Sequence, residues 1–274
     1  MRPNLFICDM SGLCHSFFHV RKEDDVADVH ERVLEKLTRI RAYYSEKRGF
    51  ENCVFVAVFD REKHDIFRKL KYPEYKANRT RHDDLGEIKT AVWDAVAMSD
   101  DWIGLMAPHF FESDDLIASL SAQHDGKVVI YSDDSDMNAC IEKDRVMVLK
   151  KANVDLETKQ LMPRYLNCEG FEKEYGISPS RWNEYQAIVG DASDNLKPIS
   201  WQDAGEKLAK RVFEHHDGGL DTVDLDCPLI KANKSQRESY DEFVRTLPLH
   251  MDLLRMRTDL SWPVELAFLV QGTF

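Results

Sequence analysis

At 274 residues, 43% hydrophobic and 31% charged, the chain can bury one substantial core with a smaller appendix, and its composition is that of a soluble globular protein. No apolar run approaches the roughly 18 residues of a membrane helix, and the amino-terminal apolar stretch runs into Asp9 with no small-residue cleavage site, so neither a membrane partner nor an export signal is expected. A net charge of -12 argues against a uniform grip on nucleic acid, whose phosphates are met by Lys and Arg.

The first predicted element is a buried strand in LFICDMSG that stops at Asp9. Val29, Val33, Leu37, Ile40 and Tyr44 then keep one helical face over 26 to 47. Cys53 to Phe59 make a second strand, in VFVAVFDRE, ending at Asp60. Residues 61 to 81 follow with Arg61, Lys63, Arg68, Lys69, Lys71, Lys76, Arg79 and Arg81 against Glu62, Asp65 and Glu74. Eight positive and three negative residues give a local charge of +5, one basic strip on an acidic body. Leu85, Ile88, Val92, Ala95 and Val96 trace a further helix. FFESDD places Glu112, Asp114 and Asp115 ahead of another, marked by Leu116, Ile117 and Leu120. Val128 to Tyr131 form a strand in VVIYSDDSD, with Asp134 and Asp136 beyond it, and Val146 to Leu149 is expected as an edge strand. Past about residue 176 the strand signals fade. Trp182, Tyr185, Ile188 and Val189 suggest a helix leading into IVGDASDN with Asp191 and Asp194, and helices are expected at 203–216 and 235–246.

Strands alternating with helices predict an α/β fold with a mostly parallel central sheet flanked by helices, and right-handed crossovers bring the carboxyl ends of the strands to one edge. Carboxylates gathered there repel each other unless a cation sits among them. Oxygen donors with no convergent His or Cys favour magnesium or manganese over zinc. Hydrolysing a phosphodiester needs a hydroxide near neutral pH, neutralisation of charge on phosphorus and help for the leaving oxygen, and two metals about 4 Å apart supply all three. A magnesium-dependent phosphodiester enzyme is therefore expected. Taken singly, an Asp after a strand is usually a helix cap or turn former, and for Asp115 or Asp133 that reading is strong. The absence of a second aspartate in Asp9-Met10-Ser11 counts against a haloacid-dehalogenase phosphatase. His15 and His19 lie four apart and could share a helical face as metal ligands, but no third ligand has suitable spacing, so a structural or substrate-adjacent role is favoured. Phe17, Phe18, Trp182 and Trp201 are expected in packing. The six scattered cysteines, Cys8, Cys14, Cys53, Cys140, Cys168 and Cys227, contain no CxxC pair and are expected as reduced thiols in a cytoplasmic protein.

In order along the chain, LFICDMSG, VAVFDRE, FRKLKYPEYKANR, FESDD, YSDDSDM and VGDASDN resemble the motifs of the flap endonuclease and 5'-3' exonuclease family, which includes the 5'-nuclease domain of bacterial DNA polymerase I and free-standing bacteriophage enzymes. The likeness runs over roughly residues 4 to 209. It implies a PIN-like nuclease core and a metal set of Asp9, Asp60, Glu112, Asp114, Asp115, Asp134, Asp136, Asp191 and Asp194. It implies Mg2+, with Mn2+ able to substitute. Arg68, Lys71, Tyr75, Lys76, Arg79 and Arg81 fall in the family's basic arch segment. There Lys76 and Arg68 would hold the scissile phosphate, and Tyr75 would stack on a terminal base.

The resemblance implies cleavage at 5' ends and flaps of DNA, or of RNA:DNA, leaving a 5'-phosphate and a 3'-hydroxyl, in primer removal or DNA turnover alongside replication proteins. The expected organisation is a nuclease core at 1–180, with the arch-like segment at 61–82, and a helical DNA-binding region at 181–274. The latter holds a degenerate helix-two-turn-helix element near 190–215. There the family's potassium-binding, glycine-rich turn is replaced by LKPISWQDAGEKLA, in which only Gly205, Glu206 and Lys207 preserve the second half. Lys207 would still meet DNA. Asp133 stands where the family usually has glycine. Two alternatives stay open on the sequence: a PIN-type ribonuclease, and a structure-binding protein without catalysis.

Overall fold

The computed structural model describes residues 2–20, 26–46, 52–61, 65–80, 82–154, 161–196, 206–215, 219–220, 245–262 and 266. They fall into two compact units: Met1–Ile66 with Arg81–Gly170 and Arg257–Phe274, and Phe67–Thr80 with Phe171–Met256.

The first unit is built on a six-stranded sheet. Strand β1 (Asn4–Asp9) is buried from Leu5 onward and β2 (Cys53–Phe59) from Phe55 onward, the unbroken apolar pattern of strands covered on both faces. With β3 (Ile103–Met106), β4 (Val128–Tyr131), β5 (Val146–Val154) and β6 (Leu161–Leu166), the order across the sheet is β3-β2-β1-β4-β5-β6. The first five strands pair in parallel and β6 runs antiparallel to β5. Helix α1 (Met10–Val20) starts directly at the end of β1 and leads to α2 (Val26–Glu46). Val29, Val33, Leu37, Ile40 and Tyr44 of α2 are buried on one face, as their spacing requires. Tyr44 and Phe55 lie 4.7 and 5.6 Å from the ring of Phe6, with Trp102 edge-on at 6.2 Å. Aromatic packing of this kind adds about 0.5–1.5 kcal/mol per pair beyond area burial.

The basic segment contributes a short helix, α3 (Phe67–Lys71), to the second unit. Back in the first unit, α4 (Asp83–Ala97) lies close against β3. A Cβ on Gly104 would stand 3.2 and 3.3 Å from Val96 and Trp93, so a larger residue there would push the helix side chains back by a few tenths of an ångström. Helix α5 (Ser113–Gln123) leads into β4. The edge-strand expectation for Val146–Leu149 is corrected: β5 is interior, and β6 takes the edge. Pro163, which lacks an amide hydrogen, suits that edge and hid the strand from the periodicity.

The second unit is helical. It contains most of α6 (Cys168–Tyr175), α7 (Trp182–Val189), α8 (Glu206–His215) and a helical run at 245–254. Trp182 stacks on Tyr185 at 4.9 Å and meets Phe171 edge-on at 5.5 Å, the packing role expected of it. Most of the helix expected at 235–246 lies outside the described residues, as do Trp201 and Cys227. The described cysteines are free thiols, and burial pushes Cys14 and Cys53 up to about 12. No helix among the described residues is long and apolar enough to cross a membrane.

Candidate metal centre

Because β1, β2 and β4 are parallel neighbours, their carboxyl ends deliver Asp9, Asp60 and the 132–136 loop to the same edge of the first unit. Serines stitch these acids together. Asp9 is 3% exposed, and its carboxylate accepts the Ser132 hydroxyl at 2.7 Å and the Gly12 amide at 3.0 Å. Ser132 Oγ in turn accepts the Asp134 amide at 3.0 Å, and Asp134 Oδ1 accepts the Asp136 amide at 2.9 Å. Asp60 accepts the Ser11 hydroxyl at 2.6 Å through one oxygen and the Ser113 amide at 2.7 Å through the other. A Cβ at position 12 would fall 2.6 Å from Asp9 Oδ2, so a side chain there would displace the carboxylate from the Ser132 hydroxyl.

Burial raises the Asp9 pKa from 3.8 to about 6, and Asp134 and Asp60 add to the rise, while the Gly12 and Ser132 hydrogen bonds oppose it. A carboxylate desolvated among further carboxylates, with oxygen donors alone, fits a hard divalent cation. The side of this cluster also holds a lysine. Lys150 on β5 donates to the Asp134 carbonyl at 2.6 Å; its burial lowers its pKa, and Asp134, Asp133 and Asp136 pull it back up. At the start of α5, Glu112 and Asp115 form a capping box, and Asp115, fully buried, accepts the Glu112 amide at 3.1 Å and the Arg257 amide at 2.9 Å. Its carboxylate therefore has the capping role that the single-residue reading favoured. Asp114 beside it is half-buried.

The second unit joins the basic segment to the VGDASDN loop. Asp191 folds the loop by accepting the Ser193 amide at 2.8 Å, the Ser193 hydroxyl at 2.7 Å and the Asp194 amide at 3.2 Å, and an antiparallel bridge to Leu196 closes it. Asp194 is 3% exposed. It accepts Arg79 Nη2 at 2.9 Å, faces Lys76 Nζ at 3.6 Å and takes the Tyr75 hydroxyl. Burial raises its pKa and Asp191 adds to the rise, while Lys76, the Tyr75 hydroxyl and Arg79 pull it down. Backbone contacts complete the clasp: the Lys76 amide donates to the Asp194 carbonyl at 3.1 Å and Arg79 Nε to the Ser193 carbonyl at 3.1 Å. The Asn78 side chain reaches the Ala192 carbonyl at 2.8 Å. Tyr75 is buried, so in this arrangement its ring offers no face to a base. Arg68 is buried too, its guanidinium donating to the carbonyls of Leu253 at 2.7 Å and Arg255 at 3.1 Å, and Lys71 pairs with Asp252.

A sequence model of a family described as the 5'-3' exonuclease, N-terminal resolvase-like domain, matches residues 4–176. The chain belongs to this 5'-3' exonuclease family. It is 34% identical over 226 residues to the thermostable DNA polymerase I of Thermus thermophilus, covering 78% of this chain and 24% of that protein. It thus spans about a quarter of the polymerase relatives it matches. With the flap endonuclease Xni of Aeromonas hydrophila it shares 25% identity over 270 residues, 94% of this chain and 92% of the relative. In fold it resembles the bacteriophage T5 flap endonuclease, which has been solved with metal ions and in a pseudo-enzyme-product complex with DNA. That likeness has a TM-score of 0.70 at 16% identity, over 93% of this chain and 90% of that one.

Within this chain, Asp9, Asp60, Glu112, Asp114, Asp115, Asp134 and Asp136 belong to the first unit, and Arg68, Lys71, Tyr75, Lys76, Arg79, Asp191 and Asp194 to the second. Arg81, the Lys207 side chain and the 197–205 stretch of the altered turn lie outside the described residues. Sequence reasoning missed Ser11, Ser113 and Ser132, although each stands within two residues of a motif acid, and that adjacency was a usable signal. Lys150 carries no such signal, because only strand pairing brings it to the 133–136 loop.

Proposed function

We propose that this chain is a divalent-metal-dependent 5'-nuclease that hydrolyses phosphodiesters at 5' ends and 5' flaps of DNA or RNA:DNA, leaving a 5'-phosphate and a 3'-hydroxyl. The observation that carries the reading is the serine-linked carboxylate array of Asp9, Asp60, Asp134 and Asp136, with Asp9 raised to about 6 by burial and by its acidic neighbours. Magnesium is the ion we assign, with manganese as its substitute, and those four residues with Asp114 would hold it. When bound, such an ion supplies a nucleophile at neutral pH and screens charge on the phosphate.

The chain's own residues do the remaining work. Ser11, Ser113 and Ser132 fix the carboxylate orientations, Gly12 leaves the space Asp9 needs, and Lys150 holds the backbone of Asp134. Lys76, held beside Asp194, is the residue we assign to the scissile phosphate, and Arg79 to the strand next to it, while Arg68 anchors the basic segment. We assign the chemistry to residues 1–180 and duplex binding to 181–274. The full-length match to Xni, which its name calls a flap endonuclease, and the T5 enzyme's complex with DNA and metal ions support this assignment. Free thiols throughout the described residues fit a cytoplasmic setting, in which replication proteins would be its company.

The test is cleavage of a 5'-flap duplex labelled separately at each end, in magnesium, in calcium and in EDTA, with an RNA strand and an RNA:DNA hybrid in parallel. Magnesium-dependent release from the 5' side of the DNA substrates is expected. Binding without cleavage, or cleavage of RNA alone, overturns the proposal.

A further inference from the structure

Three histidines that the carboxylate chemistry does not use lie together on the surface of the first unit. His15 and His19 are exposed, one turn apart on α1, with their Nε2 atoms 3.0 Å apart and their ring centroids at 4.2 Å. His82, also exposed, stands at the N-cap of α4 but makes no side-chain capping hydrogen bond there. Its ring is edge-on to His19 at 5.8 Å, and both rings rest against the buried Phe18, at 5.0 and 5.2 Å. The third ring that spacing could not supply is thus brought up from a segment more than sixty residues away in sequence.

We propose that His15, His19 and His82 form a binding site for a borderline transition cation of the zinc class, chemically distinct from the oxygen-only carboxylate centre. Two imidazole nitrogens on one ion, each at about 2.0–2.1 Å, stand roughly 2.8–3.4 Å apart across right-angled to tetrahedral geometry, and the His15–His19 pair at 3.0 Å lies within that range. Neutral imidazole is the ligand such ions prefer over hard oxygen. His15 and His19 chelate, His82 closes on the ion by rotating its exposed ring, and water completes the coordination. Without an ion one of the two facing Nε2 atoms donates to the other; an ion replaces that hydrogen bond once both rings carry their proton on Nδ1.

The site has a defined relation to the acidic edge. A groove of about 670 Å³ runs along α4, lined by His82, Asp83, Gly86, Lys89, Asp60 and Arg61 among others. An ion on the three histidines would tie α1, the helix that begins directly after Asp9, to His82, which lines this groove together with Asp60. A transition metal there would stiffen the α1–α4 junction without occupying the carboxylates.

The test uses the full chain in excess magnesium, so that the oxygen ligands are already engaged. Cu2+ is the probe for electron paramagnetic resonance and Zn2+ for calorimetric titration, neither of which reads nuclease activity. Wild type is expected to bind one equivalent of Cu2+ with superhyperfine coupling from imidazole nitrogen. The double variant His15→Ala/His19→Ala should lose that coupling and weaken zinc binding about 100-fold or more, the scale of a lost chelate. His82→Ala should weaken it about tenfold, and Asp134→Asn should retain the nitrogen signature. All three histidines are exposed, so circular dichroism should be unchanged in the variants. Wild type without nitrogen coupling, coupling that survives the double variant, or wild-type zinc affinity in His82→Ala overturns the site.

Discussion

Asp9 and Asp194 are equally buried, and burial raises the pKa of both, but one is surrounded by more carboxylate and the other by fixed cations. Around Asp9 stand Asp60, Asp134, the Ser132 hydroxyl and the Gly12 amide. Around Asp194 stand Arg79 at 2.9 Å, Lys76 at 3.6 Å and the Tyr75 hydroxyl, with Asp191 as the acidic neighbour that acts on it. The second carries counter-charges on the chain itself, beside the like charge of Asp191. The first is left open to an exchangeable cation. Desolvation alone does not distinguish a metal ligand from a structural acid; the sign of the nearest charges does.

The largest effect expected from this contrast is on cleavage. Asp134→Asn should lower magnesium-dependent cleavage by about 100-fold or more while the chain folds normally, as measured by steady-state kinetics and by calorimetric metal titration. Wild-type metal affinity in that variant would remove the contrast altogether. Asp194→Asn should instead act on stability, costing about 1–2 kcal/mol in urea unfolding, because Lys76 loses its buried partner while Arg79, half exposed, is compensated by solvent. A loss below about 1 kcal/mol would mean that the clasp is no tighter than a surface pair.

The pH dependence sharpens the same point. A carboxyl whose folded pKa is about 6, against an ordinary 3.8, binds its proton more tightly in the native state, so its contribution is full below about pH 4 and disappears as pH rises through about 6. The metal-free wild type should therefore lose roughly 1.5 kcal/mol through this group between about pH 5 and about pH 8, and Asp9→Asn should not. Magnesium should stabilise the wild type more at the higher pH, and equal stabilisation at both would contradict the assignment. The smallest effect is expected at Asp115→Ala: about 1 kcal/mol of stability, from the lost cap, with metal affinity retained, since its oxygens serve the Glu112 and Arg257 amides.

Much of the first unit can be read directly from the chain. β1, β2 and β4 are uninterrupted apolar runs that stop at acids, and α2 keeps its apolar spacing for its whole length. β3 was missed because four residues containing Gly104 carry too little signal, and β6 because its pairing partner, not its own pattern, makes it a strand. Within the candidate site the acids are legible and their surroundings are not. The positive charge of Lys76 and Arg79 reads as a solvated strip until Asp194, 115 residues beyond Arg79, is seen to receive it. Likewise Tyr75 and Arg68 look like contact residues by type, and only tertiary packing shows them buried.

The Arg257 amide closes on Asp115, that residue's carbonyl accepts the Ser119 hydroxyl at 2.9 Å, and the Leu260 amide and the Thr258 and Leu260 carbonyls engage Ser119 and Gln123. The first unit is therefore completed by residues made after the second unit's entire sequence. On a ribosome, α5 emerges long before its covering segment, and at about 5–20 residues per second the wait is on the order of ten seconds. During that interval the buried end of α5 stays uncovered, so nascent chains stalled before residue 257 should be cut there by protease, and released full-length chains should not.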